Sequence, residues 1–264
     1  MKKGSVVFLC MTAALAARAG DTILYQDDFS RTGRVQPGGV TQVLKASTPF
    51  NAAVGGQWWK SQWNSGTVSF SIQTAGTLRT GNSTLAKRGA FLDFTPESGK
   101  IYTLSVDMSV AGATGGTGFL AMGFSANTLH IDDYASAQAA WDAGNAGSYT
   151  GGEYTDTIAS ALGGWKLNAD ATTSTFKDAG YAGALAGGTP TAGYNTYQTV
   201  LDTRGDNWTI EWLLNGTSIR TETYDTNPTI RNAFLGVESV LEGTYQNFSL
   251  TSRPRRLSLV VISN

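Results

Sequence analysis

The chain has 264 residues, a formal net charge of −1, 15% charged residues and 32 glycines, with a sequence pI near 5.8. That balance argues against nucleic acid or an anionic membrane surface as a partner recognised by charge. Cys10 is the only cysteine and lies in the leader described next. Disulfides, thiolate catalysis and cysteine metal sites are therefore excluded from the mature chain.

Lys2 and Lys3, an apolar run over 6–15 and Ala17-Arg18-Ala19 follow the pattern of a secretory signal peptide. The run is too short to span a bilayer, and the bulky residues before Cys10 do not suit lipidation. Residues 1–19 are expected to be removed, leaving a secreted chain (extracellular, periplasmic or at the cell surface) that begins near Gly20.

A first short strand is predicted at Ile23 to Phe29, ending in the polar Ser30-Arg31-Thr32-Gly33. A loop with Pro37-Gly38-Gly39 and Gly55-Gly56 follows, and then a polar-aromatic patch holding Trp58, Trp59 and Trp63. Val68, Phe70 and Ile72 alternate with polar residues, as do Leu92 and Phe94. Tyr102, Leu104, Val106, Met108 and Val110 share one face of a clean strand, and Leu120, Met122 and Phe124 mark another. The segment 127–193 breaks this pattern. It carries one predicted helix over 132–141, opened by Asp132 and Asp133 as a helix dipole prefers, among Gly- and Ala-rich loops.

Strands resume at 196–203. The stretch 207–224 then places alternating runs on either side of Asn215-Gly216, a type I′ hairpin signal because both central residues need positive φ. Counting outward, Leu214 is expected opposite Thr217, Trp212 opposite Ile219, Ile210 opposite Thr221 and Trp208 opposite Thr223. On the other face Leu213 meets Ser218 and Glu211 meets Arg220, a charge pair that would add roughly 0.2–1 kcal/mol. Trp208 and Trp212 are thus read as core. Strands at 233–238 and 244–250 close one domain over 20–252, leaving a basic and apolar tail over 253–264.

This reads as an all-β, two-sheet antiparallel β-sandwich with one short helix in a long loop insertion. The opening Asp27-Asp28-Phe29-Ser30, the hairpin and the closing Gly243-Thr244-Tyr245-Gln246-Asn247-Phe248-Ser249-Leu250 together resemble a concanavalin A-like, laminin-G-type jelly roll of secreted bacterial type. The resemblance implies that the last strand returns beside the first. Bacterial relatives of that kind often end in a Pro-Glu-Pro sorting signal (PEP-CTERM). Here Arg253-Pro254-Arg255-Arg256 precedes an apolar run of only 257–262, so a frayed terminal segment is the preferred reading and a degenerate sorting signal the other.

The fold hosts many activities, so function has to come from residues. His130 is the only histidine, which rules out a two-histidine metal site, and no Gly-x-Ser-x-Gly surrounds a serine. Glycoside hydrolysis needs two acids at about 5–5.5 or 6.5–9.5 Å. Related glucanases carry a Glu-x-Asp-x-x-Glu strand, which is missing here, so the loop acids Glu153 and Asp156 are the weak candidates. Structural calcium is implied by the resemblance, with Asp27, Asp28 and Asn247 as oxygen ligands if the end strands pair, or the loop of Asp142 and Asn145. For a polysaccharide or glycoconjugate, indole and phenol faces would cover apolar sugar faces while amides and acids take hydroxyls. Trp58, Trp59, Trp63, Trp141, Trp165 and Tyr154 have that character. The favoured reading is a non-catalytic glycan-binding or cell-surface module; a glycan-cleaving enzyme and a structural matrix component stay open.

Overall fold

The structure, a computed structural model, describes residues 20–29, 51–52, 59–62, 71–73, 76–79, 87–110, 118–126, 161–178, 183–238 and 243–254. For 51–52, 59–62, 71–73, 79, 87–89 and 238 it describes the backbone alone. In chain order the strands are β1 (Thr22–Asp27), β2 (Asn51–Ala52), β3 (Trp59–Gln62), β4 (Ser71–Gln73), β5 (Thr77–Arg79) and β6 (Lys87–Asp93). They continue with β7 (Lys100–Val110), β8 (Phe119–Ser125), β9 (Ala161–Asn168), β10 (Thr173–Phe176) and β11 (Leu185–Ala186). The last are β12 (Asn195–Asp202), β13 (Thr209–Leu214), β14 (Thr217–Thr223), β15 (Asn232–Glu238) and β16 (Gly243–Pro254).

These form two antiparallel sheets facing each other, the expected all-β sandwich. One runs β14-β13-β12-β7-β16-β1-β2, with β5 pairing β16 and β4 pairing β5; the other runs β11-β10-β9-β8-β15-β6-β3. They are called below the nine-stranded and the seven-stranded sheet. β1 lies antiparallel to β16, Thr22 opposite Ser252 and Asp27 opposite Phe248, so the closing strand does return beside the opening one. β16 runs on to Pro254, where Arg253 and Pro254 still pair with Ile101 and Lys100.

Strand periodicity decides what each face meets. Tyr102, Leu104, Val106 and Met108 of β7 and Tyr197 and Leu201 of β12 point into the core, with polar residues between them, as a one-sided strand requires. From the opposing sheet come Leu120, Met122 and Phe124, Leu162, Trp165 and Leu167, and Ala233, Leu235 and Val237. Four of the core aromatics have their polar atoms satisfied across the gap, as buried donors generally are. Trp212 Nε1 donates to the Gly164 carbonyl at 2.9 Å, Trp165 Nε1 to the Gln198 carbonyl at 2.8 Å, and the Tyr25 hydroxyl to the Asp93 carbonyl at 2.8 Å. Tyr245 donates to the Gly236 carbonyl. Each of these bonds joins one sheet to the other.

The hairpin forms at Asn215 (φ 50°) and Gly216 (φ 78°), as its turn chemistry demands. Its register is as expected only for the first two pairs, Leu214 with Thr217 and Leu213 with Ser218. A bulge then leaves Ile219 unpaired, so Trp212 stands opposite Arg220, Ile210 opposite Glu222 and Glu211 opposite Thr221. The expected Glu211–Arg220 pair is therefore corrected. Arg220 instead reaches Glu222 at 3.9 Å and donates to Thr175 Oγ1 at 3.1 Å. The bulge lets the Ile219 side chain lie against Gly188 and beside Leu214, closing the sandwich flank. Trp212 is fully buried, whereas Trp208 is half-buried against the same core.

The segment expected to be irregular holds three strands among its described residues, β9, β10 and the two-residue β11. Gly163-Gly164, taken as a loop signal, is a bulge inside β9, opposite the shift between Met122 and Phe124. Gly163 has φ 48°, and a side chain there would meet Ile210 and Tyr224. One on Gly164 would strike the Met122 carbonyl and the Phe176 ring. The glycines allow close backbone approach, a role short sequence patterns do not separate from a turn. No helix of the described residues is long and apolar enough to cross a membrane.

Candidate functional site

Trp58, Trp63, Trp141, Tyr154, Glu153 and Asp156 lie outside the described residues, as do His130, Asp142, Asn145 and the helix expected over 132–141. Trp59 opens β3, its backbone opposite Phe91. Trp165 is a correction. Its ring is fully buried between the sheets, edge-on to Tyr197 at 5.2 Å, so it offers no face to a sugar. It alternates with Leu167 and Leu162 across a bulge, and that placed it inward.

Of the expected calcium ligands, Asp27 is buried and Asn247 exposed, so these two do not share an environment. Asp27 turns inward with Phe248, is fully buried, and accepts the Phe29 N–H on Oδ1 at 2.9 Å. Asn247 sits in the bulge of β16 (φ 51°), is exposed, and donates to Asp107 Oδ2 at 2.7 Å. The strands do pair, but the bulge separates the two side chains. Among the described residues no group of three His, Cys, Asp or Glu is placed to hold a metal ion.

Two surfaces remain, one on the outside of each sheet. On the seven-stranded sheet Phe91, Phe119, Ala121, Ala161, Phe176 and Phe234 form a second buried cluster away from the main core. Phe91 and Phe234 stack at 6.1 Å, and Lys166 Nζ lies 4.2 Å from the Phe119 ring centroid, within cation–π range. One end is polar: Asp93, Asn232 and Ser125 stand in register across β6, β15 and β8. Acidic positions Asp93 and Glu238 pair at opposite ends of β15, about 20 Å apart along the strand. That is too far for a glycosidase pair.

The second surface lies at one end of the nine-stranded sheet and is open. Asn195, buried, organises it. Its Oδ1 accepts the Thr191 N–H and hydroxyl, both at 2.9 Å, and the Asn215 amide at 2.8 Å, while its Nδ2 donates to the Thr191 carbonyl at 2.7 Å. Asn215 Oδ1 in turn accepts the Thr196 N–H at 2.9 Å, and the Thr196 hydroxyl donates to Asp107 Oδ1 at 2.6 Å. Beside this network Tyr194 is 40% exposed. The sequence carries its signal, an aromatic in a loop of small polar residues, the same signal that marks Tyr154.

Other acids are engaged locally. The Arg204 guanidinium, at 2.8 Å from Asp202 Oδ1, holds that carboxyl below its usual range. Hydrogen bonds from Thr172 do the same for exposed Asp170. Burial raises the phenols of Tyr224 and Tyr245, which suits structural donors rather than acid–base groups.

No protein-family model matches the sequence, and no curated relative was found. Solved structures do resemble the fold. An endo-1,3-beta-glucanase from Streptomyces sioyaensis is 13% identical with a TM-score of 0.56, over 92% of this chain and 100% of that one. The carbohydrate recognition domain of Emp47p is 10% identical with a TM-score of 0.51, over 90% of this chain and 98% of that one. At such identities the likeness establishes the shared architecture alone, a two-sheet jelly-roll sandwich.

Proposed function

We propose that the chain is a secreted, non-catalytic jelly-roll module that binds glycan. The observation that carries this reading is a sandwich matching 98% of the length of a carbohydrate recognition domain. Supporting it, the sequence lacks the Glu-x-Asp-x-x-Glu strand of related glucanases, and the acidic positions on the outer face of the seven-stranded sheet are far apart. Trp58, Trp59, Trp63, Trp141 and Tyr154 are the proposed sugar-facing aromatics, with Trp165 reassigned to the core.

The test is a glycan array with the mature chain, followed by tryptophan fluorescence titration. Binding that weakens in Trp58→Ala, Trp63→Ala or Trp141→Ala supports the reading. Silence across the array overturns it and favours a structural component. A second reading, glycan cleavage, draws on the glucanase likeness. Release of reducing ends that Glu153→Gln and Asp156→Asn abolish would establish it. Secretion is tested by fractionation, with an N-terminus at Gly20 expected.

A further inference from the structure

The exposed surface at the end of the nine-stranded sheet has the makings of a binding site built from described residues alone. Tyr194 and Leu185 are the exposed large hydrophobics among the described residues. Tyr194 is no loose loop residue. Its neighbour Asn195 is 3% exposed and tied to Thr191, Gly193 and Asn215. Tyr194 immediately precedes β12 and is 40% exposed, and strand alternation turns Thr196, the residue after buried Asn195, to the outer face.

Thr196 stands opposite Asp107 on β7, and Asn247 of β16 bonds to the same carboxylate. Three adjacent strands thus carry a hydroxyl, a carboxylate and an amide across about 10 Å. Asn215 and Asn247 are exposed, and each has spent one amide hydrogen on the network and keeps a second. Ser105 and Ser249 stand opposite each other one step along the same face. Both are buried, so the open part of the face ends at Asp107 and Asn247. The face therefore combines an exposed aromatic ring with two exposed amides that each keep a donor.

We infer that this ledge is a carbohydrate subsite. The Tyr194 ring takes the apolar face of one pyranose, and Asp107, Asn215 and Asn247 take hydroxyls of that sugar and its neighbour. The ligand chemistry is that of a neutral, hydroxyl-rich chain. Its rings supply flat C–H faces for the phenol, and vicinal hydroxyls pair with carboxylate and amide. The site is already ordered by its own hydrogen bonds, so little entropy is spent in organising it. The inference rests on the glycan-binding reading above and adds where one sugar sits.

The experiment measures affinity for soluble β-1,3-glucan, β-1,4-glucan, mannan and galactan oligosaccharides by titration calorimetry. Wild type is compared with Tyr194→Ala, Tyr194→Phe and Asn215→Gly, and the unfolding midpoint of each variant is recorded. Tyr194→Ala is expected to bind about tenfold more weakly, the worth of one covered ring face. Tyr194→Phe keeps that face and is expected within about threefold of wild type. Asn215→Gly preserves the positive-φ turn and is expected to lose about fivefold. If wild type binds, the tryptophan variants lose affinity and Tyr194→Ala does not, the ledge is no subsite and the module reading stands. If wild type binds none of the four, the ledge as a subsite for neutral glycans falls, and the array alone decides the module reading.

Discussion

The outer faces of the two sheets are built from the same alternation and end in opposite environments. On the nine-stranded sheet Thr103, Asp107, Ser109, Thr196 and Gln198 face outward, half-buried, between core residues. On the seven-stranded sheet the outward positions include Phe91, Phe119, Ala121 and Phe234, none more than 3% exposed. At these positions one outer face is polar and half-buried, the other apolar and buried. A sandwich's second apolar face is therefore stability rather than an open groove, and recognition is left to the polar sheet and the loops.

The comparison breaks most sharply at Gly164. A methyl group there meets the Met122 carbonyl and the Phe176 ring, joining main core and outer cluster. Gly164→Ala is expected to cost about 3 kcal/mol or more, read as a lost or strongly shifted urea unfolding transition. An unchanged midpoint would mean that β8 and β9 do not approach as described.

Next comes Phe234→Ala, which empties the outer cluster and is expected to cost about 3–5 kcal/mol. Gln198→Ala, on the polar sheet, is expected to stay within about 0.5 kcal/mol. Equal costs for the two variants would erase the contrast between the faces.

Alkaline pH gives a third test. Burial pushes the Tyr25 phenol up to about 12 and raises Tyr197, Tyr224 and Tyr245 as well. A folded value above the ordinary 10.0 means the folded state holds its protons more tightly. That contribution is fully present below pH 10 and is lost as pH rises through the folded values. Denaturation midpoints are expected to fall across this range, with phenolate absorbance appearing only as the chain unfolds. Early phenolate absorbance in the native state would show that the inter-sheet tyrosines are open to solvent.

The smallest effect is at the half-exposed Asp202–Arg204 pair. Arg204→Ala is expected to cost at most about 1 kcal/mol. Because Arg204 lowers the Asp202 value, the contribution is present above the ordinary carboxylate range and lost as pH falls through the folded value. A loss that grows toward acid pH would contradict it.

Much of this architecture was legible because one-sided strands announce themselves. β7 alternates cleanly, and the Asn215-Gly216 turn fixed the hairpin tip. What the residues hid was local geometry. The bulge at Ile219 moved Arg220 from Glu211 to Glu222, and nothing in the alternation marks which residue is left unpaired. Gly163-Gly164 look like loop residues and serve as a contact between strands. Phe119 to Ser125 is buried at every position, an uninterrupted apolar run of the kind that marks a strand covered on both sides. Of the candidate site, Trp165 was misplaced by one bulge and Asn247 by another. Tyr194 and Asp107 were passed over because only tertiary pairing brings 107, 196, 215 and 247 together.

The placement of β1 against β16 has a mechanical consequence. Thr22 lies opposite Ser252, so β1 begins and β16 ends at the same end of one antiparallel pair. Tension drawn between those two points opens the pair like a zipper, loading its backbone bonds one after another instead of shearing them together. A domain so connected yields at low force when stretched between two attachments. Hung from a single attachment, it carries no load through its fold at all.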